Sequence, residues 1–283
     1  MSGSGDLELW DIPTADAALA RGGKAPVQVH PTAIVSPQAK LGVGVEIGPY
    51  SVIGPEVVLQ DHVRISSHVV IEGRTTVGER SVVHPFATLG AIPQDLKYKG
   101  EPGQLVIGAE NSIRHYVNMS IGTEGGGGKT VTGRRNLFMV NVHVAHDCVV
   151  QDNCIFANGV SLAGHVYVDA HAVLGGHSAI HQFCRVGEGT MVGGGSMVVQ
   201  DIPPWVMVQG DRAKPIGLNV VGLRRAGLST DELKDLKTMY RLLYSEGLTV
   251  EDSIARIEQE AAPSVYRDKF VGFLKASKRG VCR

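Results

Sequence analysis

No stretch of this 283-residue chain approaches the ~18 consecutive apolar residues of a membrane-spanning helix, so no membrane span is expected. Charge of one sign is missing too: 27 Lys and Arg stand against 28 Asp and Glu. A net charge of −1 leaves no basic footprint for nucleic acid. Met1 to Gly23 lack the basic start and apolar stretch of a secretory signal, and cytoplasmic residence is the expectation. Cysteine is scarce, with four residues and no CxxC pair. The apolar residues of the first 200 positions do not recur at i+3 and i+4, which excludes amphipathic helices there.

What is there instead is a period of six. From Val29, every sixth residue is aliphatic through Val35, Leu41, Ile47, Ile53, Leu59, Ile65, Ile71, Val77, Val83 and Leu89. The beat resumes at Ile107, Ile113 and Met119, and again from Phe138 through Val144, Val150, Phe156, Leu162 and on to Val198. A fixed period over this length means a repeat architecture. The residue two before each beat is small or β-branched, as at Ala33, Ser51, Val63, Ala87, Cys148, Cys154, Ser178 and Cys184. Positions two apart on a strand share a face. Each hexad is therefore a very short strand with one large and one small inward residue, followed by a turn. Three hexads close a triangular coil of 18 residues, and coils stack at about 4.8 Å. Cys148, Cys154 and Cys184 are then small core residues, not ligands. This is the hexapeptide repeat of the left-handed parallel β-helix, with the handedness taken from that resemblance.

The chain divides into a leader at 1–28, the coil at 29–204 and a helical C-terminal domain at 205–283. In the leader, Thr14 could cap a short helix ending at Gly22 or Gly23. Insertions interrupt the coil at 90–104 and 122–130, and loops on a rigid solenoid are where function tends to sit. The second insertion, GTEGGGGKT, is not a Walker loop, because Thr123 stands where that pattern needs Gly. Beyond Pro204 the beat stops. Ser229 and Glu232 form a capping box for a helix to about Ser245, with Leu233, Leu236, Met239, Tyr240 and Leu243 on one stripe. Further helices are expected from Val250 to Ala262 and from Ser264 to about Lys278.

The coil geometry sorts the eleven histidines. Val144, Leu162 and Ile180 lie 18 apart on one face, and His143, His146, His165 and His181 cluster around them over about 10 Å of rise. His171 and His177 share the slot of His165 on the other two faces and serve as an internal control. They are read as ordinary surface residues, as are His30, His62, His68, His84 and His115. Two uses of the cluster are open. Zinc binding is one, but no two histidines in residues 138–200 stack in one column, and no metal is assigned. The other is general base catalysis, since an imidazole with a pKa of about 6.5 can take a hydroxyl proton at neutral pH. Asp147 is placed to orient His146. Gly164, one coil above His146, offers a backbone N–H to a developing oxyanion.

Asn141-Val-His-Val-Ala-His-Asp-Cys148, Leu162-Ala-Gly-His165, His181-Gln-Phe-Cys184 and Gln94-Asp-Leu-Lys-Tyr98 closely resemble the UDP-N-acetylglucosamine acyltransferases of lipid A biosynthesis. So do Gln200-Asp-Ile-Pro-Pro204, Pro215-Ile-Gly-Leu-Asn219 and Gly222-Leu-Arg-Arg225. The resemblance covers residues 29–283. It implies a homotrimer that moves a 3-hydroxyacyl group from acyl carrier protein to the sugar 3-hydroxyl of UDP-N-acetylglucosamine, with no cofactor. It implies His146 as general base, Asp147 as its orienting partner and Gly164 as oxyanion donor. Asp95, Lys97, His143, His165, His181, Gln182, Asn219 and Arg225 would line the substrate site. Gly194 would set the end of the acyl groove, where a small residue admits a longer chain, and Arg212 would bound its far end.

Three departures from the family stand out. Met119-Ser-Ile-Gly-Thr123 replaces the usual Ile-His-Arg-Gly-Thr, Val221 replaces an acidic residue and Ala226 replaces a third basic one. They leave open a related acceptor such as a 3-amino sugar. A zinc-binding homologue and a catalytically silent scaffold stay open as readings from other classes.

Overall fold

Among the described residues, twenty-eight strands, most of two residues, stack into three sheets of 11, 9 and 8 strands. The computed structural model describes residues 26–283. The leader helix expected before Gly22 or Gly23 lies outside the described residues. Every pairing is parallel except the last, between Val206–Gln209 and Lys214–Leu218. Each sheet is one wall of a triangular prism, and the chain visits the walls in strict rotation up to Met197–Val198. The first wall runs from Gln28–Val29 to Lys214–Leu218, the second from Ile34–Val35 to Met197–Val198, and the third from Lys40–Leu41 to Arg185–Val186. This is a parallel β-helix, and four helices follow it.

The hexad explains the prism. Beat residues point inward and stack in columns: Val83, Ile113, Phe138, Phe156, Leu174 and Val192 are all fully buried on one wall. Full burial of such side chains contributes about 1.5–3 kcal/mol each. The first coil is open, with Val29 43% exposed, and the interior closes by Ile47. The 18-residue stagger widens to 30 across the first insertion and to 25 across the second. One rung breaks the aliphatic rule. Thr132 occupies the beat between Ile107 and Val150 and is buried. Together with the second insertion, it hides the count between Met119 and Phe138.

Turn residues between strands sit at positive φ along all three edges, among them Tyr50, His68, Asp147, His165, His171 and His177. Cys148, Cys154 and Cys184 are free and buried, and burial pushes their thiols up to about 12, 12 and 11. They pack as small inward residues and are poor thiolates.

The coil does not end at Pro204. Strand Val206–Gln209 pairs with Met191–Val192 and adds a rung to the first wall, so the expected boundary at 204/205 falls inside a sheet. The apolar period is lost there because the last coil shortens, with Val208 pairing Val192 and Ile202 bridging Val186 across 16 residues in place of 18, and the next strand, Lys214–Leu218, runs antiparallel. Four helices come next: α1 (Val220–Arg225), α2 (Thr230–Tyr244), α3 (Val250–Glu260) and α4 (Val265–Ala276). Helix α1 was not anticipated. Helix α2 opens with the Ser229/Glu232 capping box and buries Leu233, Leu236, Met239, Leu242 and Leu243. The C-terminus returns to cap the last coil. Buried Asp201 accepts from Arg185 N at 2.8 Å and from Ser277 Oγ at 2.7 Å, and it bridges to Val281.

Candidate active site

Both insertions leave the prism at the edge between the second and third walls, which is also the edge of His146. His143 lies in the strand His143–Val144, and the turn to Val149–Val150 carries His146 and Asp147. One coil later the same turn carries Gly164 and His165, and the next carries Gln182 and Phe183. Asp147 takes the positive-φ slot with φ of 59°, which a short polar side chain tolerates.

The Asp147 carboxylate is fully shut off from solvent. His146 Nδ1 lies 2.8 Å from Asp147 Oδ2. A carboxylate accepts, so Nδ1 carries the proton and Nε2 is left as the basic nitrogen. Thr123 N donates to Asp147 Oδ1 at 2.8 Å, and Thr123 Oγ1 donates to Oδ2 at 2.6 Å. Asp147 N donates to Thr130 Oγ1 at 2.8 Å. The imidazole of His146 covers Gly164: a methyl at that Cα would meet His146 Nε2 at 2.7 Å. Only glycine leaves room there, and among the described residues no acceptor takes the Gly164 N–H.

His165 sits edge-on to His146, with ring centroids 5.2 Å apart, and stacks on Phe183 at 4.4 Å. Burial pushes its pKa down, against the pull of nearby Asp147. His143 is held down by burial and by His146, and its Nδ1 lies 3.0 Å from Asn118 Oδ1. His146, Asp147 and His165 could offer a cation three atoms within 4.8 Å of one another. The Asp147 oxygens, however, already take three donors, and a cation would have to displace Thr123 or His146.

Beside the dyad a cleft of about 790 Å³ lies between the two insertions. Asp95, Lys97 and Tyr98 line one side, Thr123 and Glu124 another, and His165 and Phe183 its floor. The structure thus brings together His143, His146, Asp147, Gly164, His165, Asp95 and Lys97. His181 and Gln182 are exposed at the next turn, where His181 Nδ1 contacts the Gln182 carbonyl at 3.2 Å. Asn219 is occupied locally: its side chain caps α1 at Gly222 N and donates to Gly189 O at 3.0 Å. Arg225, at the end of α1, and Arg212, in the turn between the last two strands of the first wall, are exposed. Gly194 lies on a different edge, between the first and second walls.

Ser120 and Ile121, where the usual His-Arg pair would stand, are buried. Val221 is 60% exposed on α1. Of the control histidines, His177 is exposed, whereas His171 is half-buried with its pKa lowered by burial, so it is not an ordinary surface residue. Sequence reasoning missed Thr123, Thr130, Asn118 and Phe183. The spacing of Phe183, one coil after His165, was the available signal for one of them.

A family model described as domain 2 of UDP N-acetylglucosamine O-acyltransferase matches residues 201–282. An acyl-[acyl-carrier-protein]–UDP-N-acetylglucosamine O-acyltransferase from Myxococcus xanthus is 49% identical over 256 residues, 90% of this chain and 99% of that protein. The chain belongs to the UDP-N-acetylglucosamine O-acyltransferase family. Among solved structures, LpxA from Acinetobacter baumannii is 42% identical with a TM-score of 0.88, covering 90% of this chain and 99% of that one. The UDP-N-acetylglucosamine acyltransferase from Bacteroides fragilis is 37% identical with a TM-score of 0.89, covering 90% and 100%. The family's match at residue 201 begins where Asp201 ties the coil to the returning C-terminus.

Proposed function

We propose that this chain transfers a 3-hydroxyacyl group from acyl carrier protein to the 3-hydroxyl of UDP-N-acetylglucosamine, the first step of lipid A biosynthesis. The observation that carries the reading is the buried Asp147–His146 pair beside the Gly164 N–H, in a member of this family. His146 Nε2 takes the proton of the sugar hydroxyl as its oxygen attacks the thioester carbonyl. The Gly164 N–H donates to the oxyanion that forms. The C–S bond then breaks, and the leaving sulfur takes the proton back from Nε2. A thioester is activated enough for a positioned base and one oxyanion donor to suffice.

The acceptor is assigned to the cleft lined by Asp95, Lys97 and His165, with His143, which Asn118 holds, beside His146. His181, Gln182, Asn219 and Arg225 stand away from that cleft in a single protomer. We assign them to a shared site across a homotrimer interface in the cytoplasm, where Arg225 would meet a pyrophosphate. Gly194 is assigned to the closed end of the acyl groove, bounded by Arg212. Gly194→Met should shift preference towards shorter donors.

The test is transfer from 3-hydroxyacyl carrier proteins to UDP-N-acetylglucosamine, wild type beside His146→Ala. Loss of transfer in a folded variant supports the reading. No transfer by folded wild type would overturn the acceptor, and full transfer by the variant would overturn the base. Activity that vanishes in chelator and returns with zinc would favour the metal reading. Sedimentation gives the assembly state.

A further inference from the structure

The Gly-rich insertion lines one side of the acceptor cleft, yet both of its ends hydrogen-bond one residue of the base pair beside it. Thr123, at its start, gives two donors to the Asp147 carboxylate, and Thr130, at its end, accepts the Asp147 N–H. Between them the chain folds back on itself, with the Thr123 carbonyl accepting from Gly126 N at 3.1 Å and from Gly128 N at 2.7 Å. Gly126 lies on the carboxylate: a methyl there would meet Asp147 Cγ at 2.0 Å. The insertion therefore lies flat over Asp147, and the carboxylate is sealed beneath it.

The hydrogen bonds settle which oxygen does what. Oδ1 takes the Thr123 N–H. Oδ2 takes the Thr123 hydroxyl and the His146 Nδ1–H. A carboxylate can rotate about its last bond, and donors on both oxygens remove that freedom. With the plane fixed, one lone pair of Oδ2 points at Nδ1, which holds the proton there and leaves Nε2 bare.

We propose that the Gly-rich insertion is a strap that aims the Asp147 carboxylate at His146, with Thr123 as the positioning residue. The strap sets which nitrogen of His146 is basic, and the reaction feels it through His146 alone. The proposal rests on His146 being the base. It assigns a role to the insertion that does not require the insertion to touch either substrate.

Thr123→Val keeps the shape and the backbone donor and removes the hydroxyl. Thr123→Ser keeps both donors. With the full chain and both substrates, Thr123→Val should lower kcat on the order of 10²-fold with KM values within about twofold, as a misaimed catalytic group does. Thr123→Ser should restore kcat. Nitrogen-15 NMR of labelled histidine reads the tautomer without turnover. His146 should carry its proton on Nδ1 in wild type and Thr123→Ser, and shift towards Nε2–H in Thr123→Val. Gly126→Ala reaches the same end by lifting the strap, and should give the same kcat loss and the same tautomer shift. Four results would each overturn the proposal: wild-type kcat in Thr123→Val, an equal loss in Thr123→Ser, a loss confined to KM, or an unchanged tautomer. If wild type fails to acylate UDP-N-acetylglucosamine, the proposed reaction falls, while the tautomer comparison still decides the strap.

Discussion

Two edges of the prism use the same turn and the same positive-φ slot for opposite ends. Between the first and second walls the slot holds Tyr50, His68, Phe86 and Tyr116, whose rings stack at 5.0–5.2 Å up the outside of the coil. Between the second and third walls it holds Asp147, His165 and Phe183. The backbone is alike, so the slot itself does not decide the chemistry. What differs is cover. Both insertions overhang the second edge, and Thr123 seals Asp147 there, while Tyr50 stays 60% and Phe86 47% exposed on the other. A bare edge makes surface rings. A covered edge makes a desolvated pair, whose hydrogen bonds strengthen as water leaves.

The largest test of this contrast is catalytic. His146→Ala should lower kcat/KM by about 10³-fold, within the range of a lost general base. His177→Ala, on the bare edge, should leave it unchanged. A comparable loss from His177 would mean that the uncovered edge serves the reaction beyond the acyl-groove end assigned to Gly194. The next test sets inside against outside. Phe156 stacks on Phe138 at 4.9 Å in the core, and both are fully buried. Phe156→Ala should cost about 3–5 kcal/mol in urea unfolding. Phe86→Ala should cost about 1 kcal/mol or less, the worth of an exposed ring pair. Similar costs would show that the outer ladder is covered in solution.

The coil was legible in the sequence because each inward residue repeats a single physical demand at fixed spacing. The legible part of the site follows from the same arithmetic: adding 18 places Gly164 over His146 and His165 over Asp147. The clamp on Asp147 was not legible, because Thr123 and Thr130 flank an insertion across which the count is lost. A loop's hydrogen bonds depend on how it folds back, and no period encodes that. Helix α1 escaped notice because six residues are too few for an apolar stripe. The capping box of α2 was readable because it is local. Thr132 shows the limit from the other side, as a buried polar residue that hides a rung.

The third edge offers a smaller test. Asn219 both caps α1 and holds Gly189 O, a turn carbonyl on the edge between the third and first walls. Ser229 caps α2 in the open. Ser229→Ala should cost about 1 kcal/mol, as lost caps do. Asn219→Ala should cost more, because it also leaves a buried carbonyl without its donor. Equal costs would mean that the coil holds this turn without help from the helical domain.

The smallest effect is the pH dependence that covering an edge brings. Burial, and then His146, keeps His143 below the ordinary histidine range, and burial does the same to His165. The unfolded chain therefore takes up protons first, near the ordinary pKa of about 6.5. Folding stability is fully present above that value and is lost as pH falls towards the lowered pKa values. Urea midpoints at pH 7.5 and 5.5 should show the drop, and His143→Gln should make it shallower. His171, held down by burial on the third edge, adds to the drop without touching the dyad. His171→Gln should therefore flatten the stability curve while leaving kcat/KM at its wild-type value. If His143→Gln left the slope untouched, the cost of the covered edge would have to lie elsewhere than in its histidines.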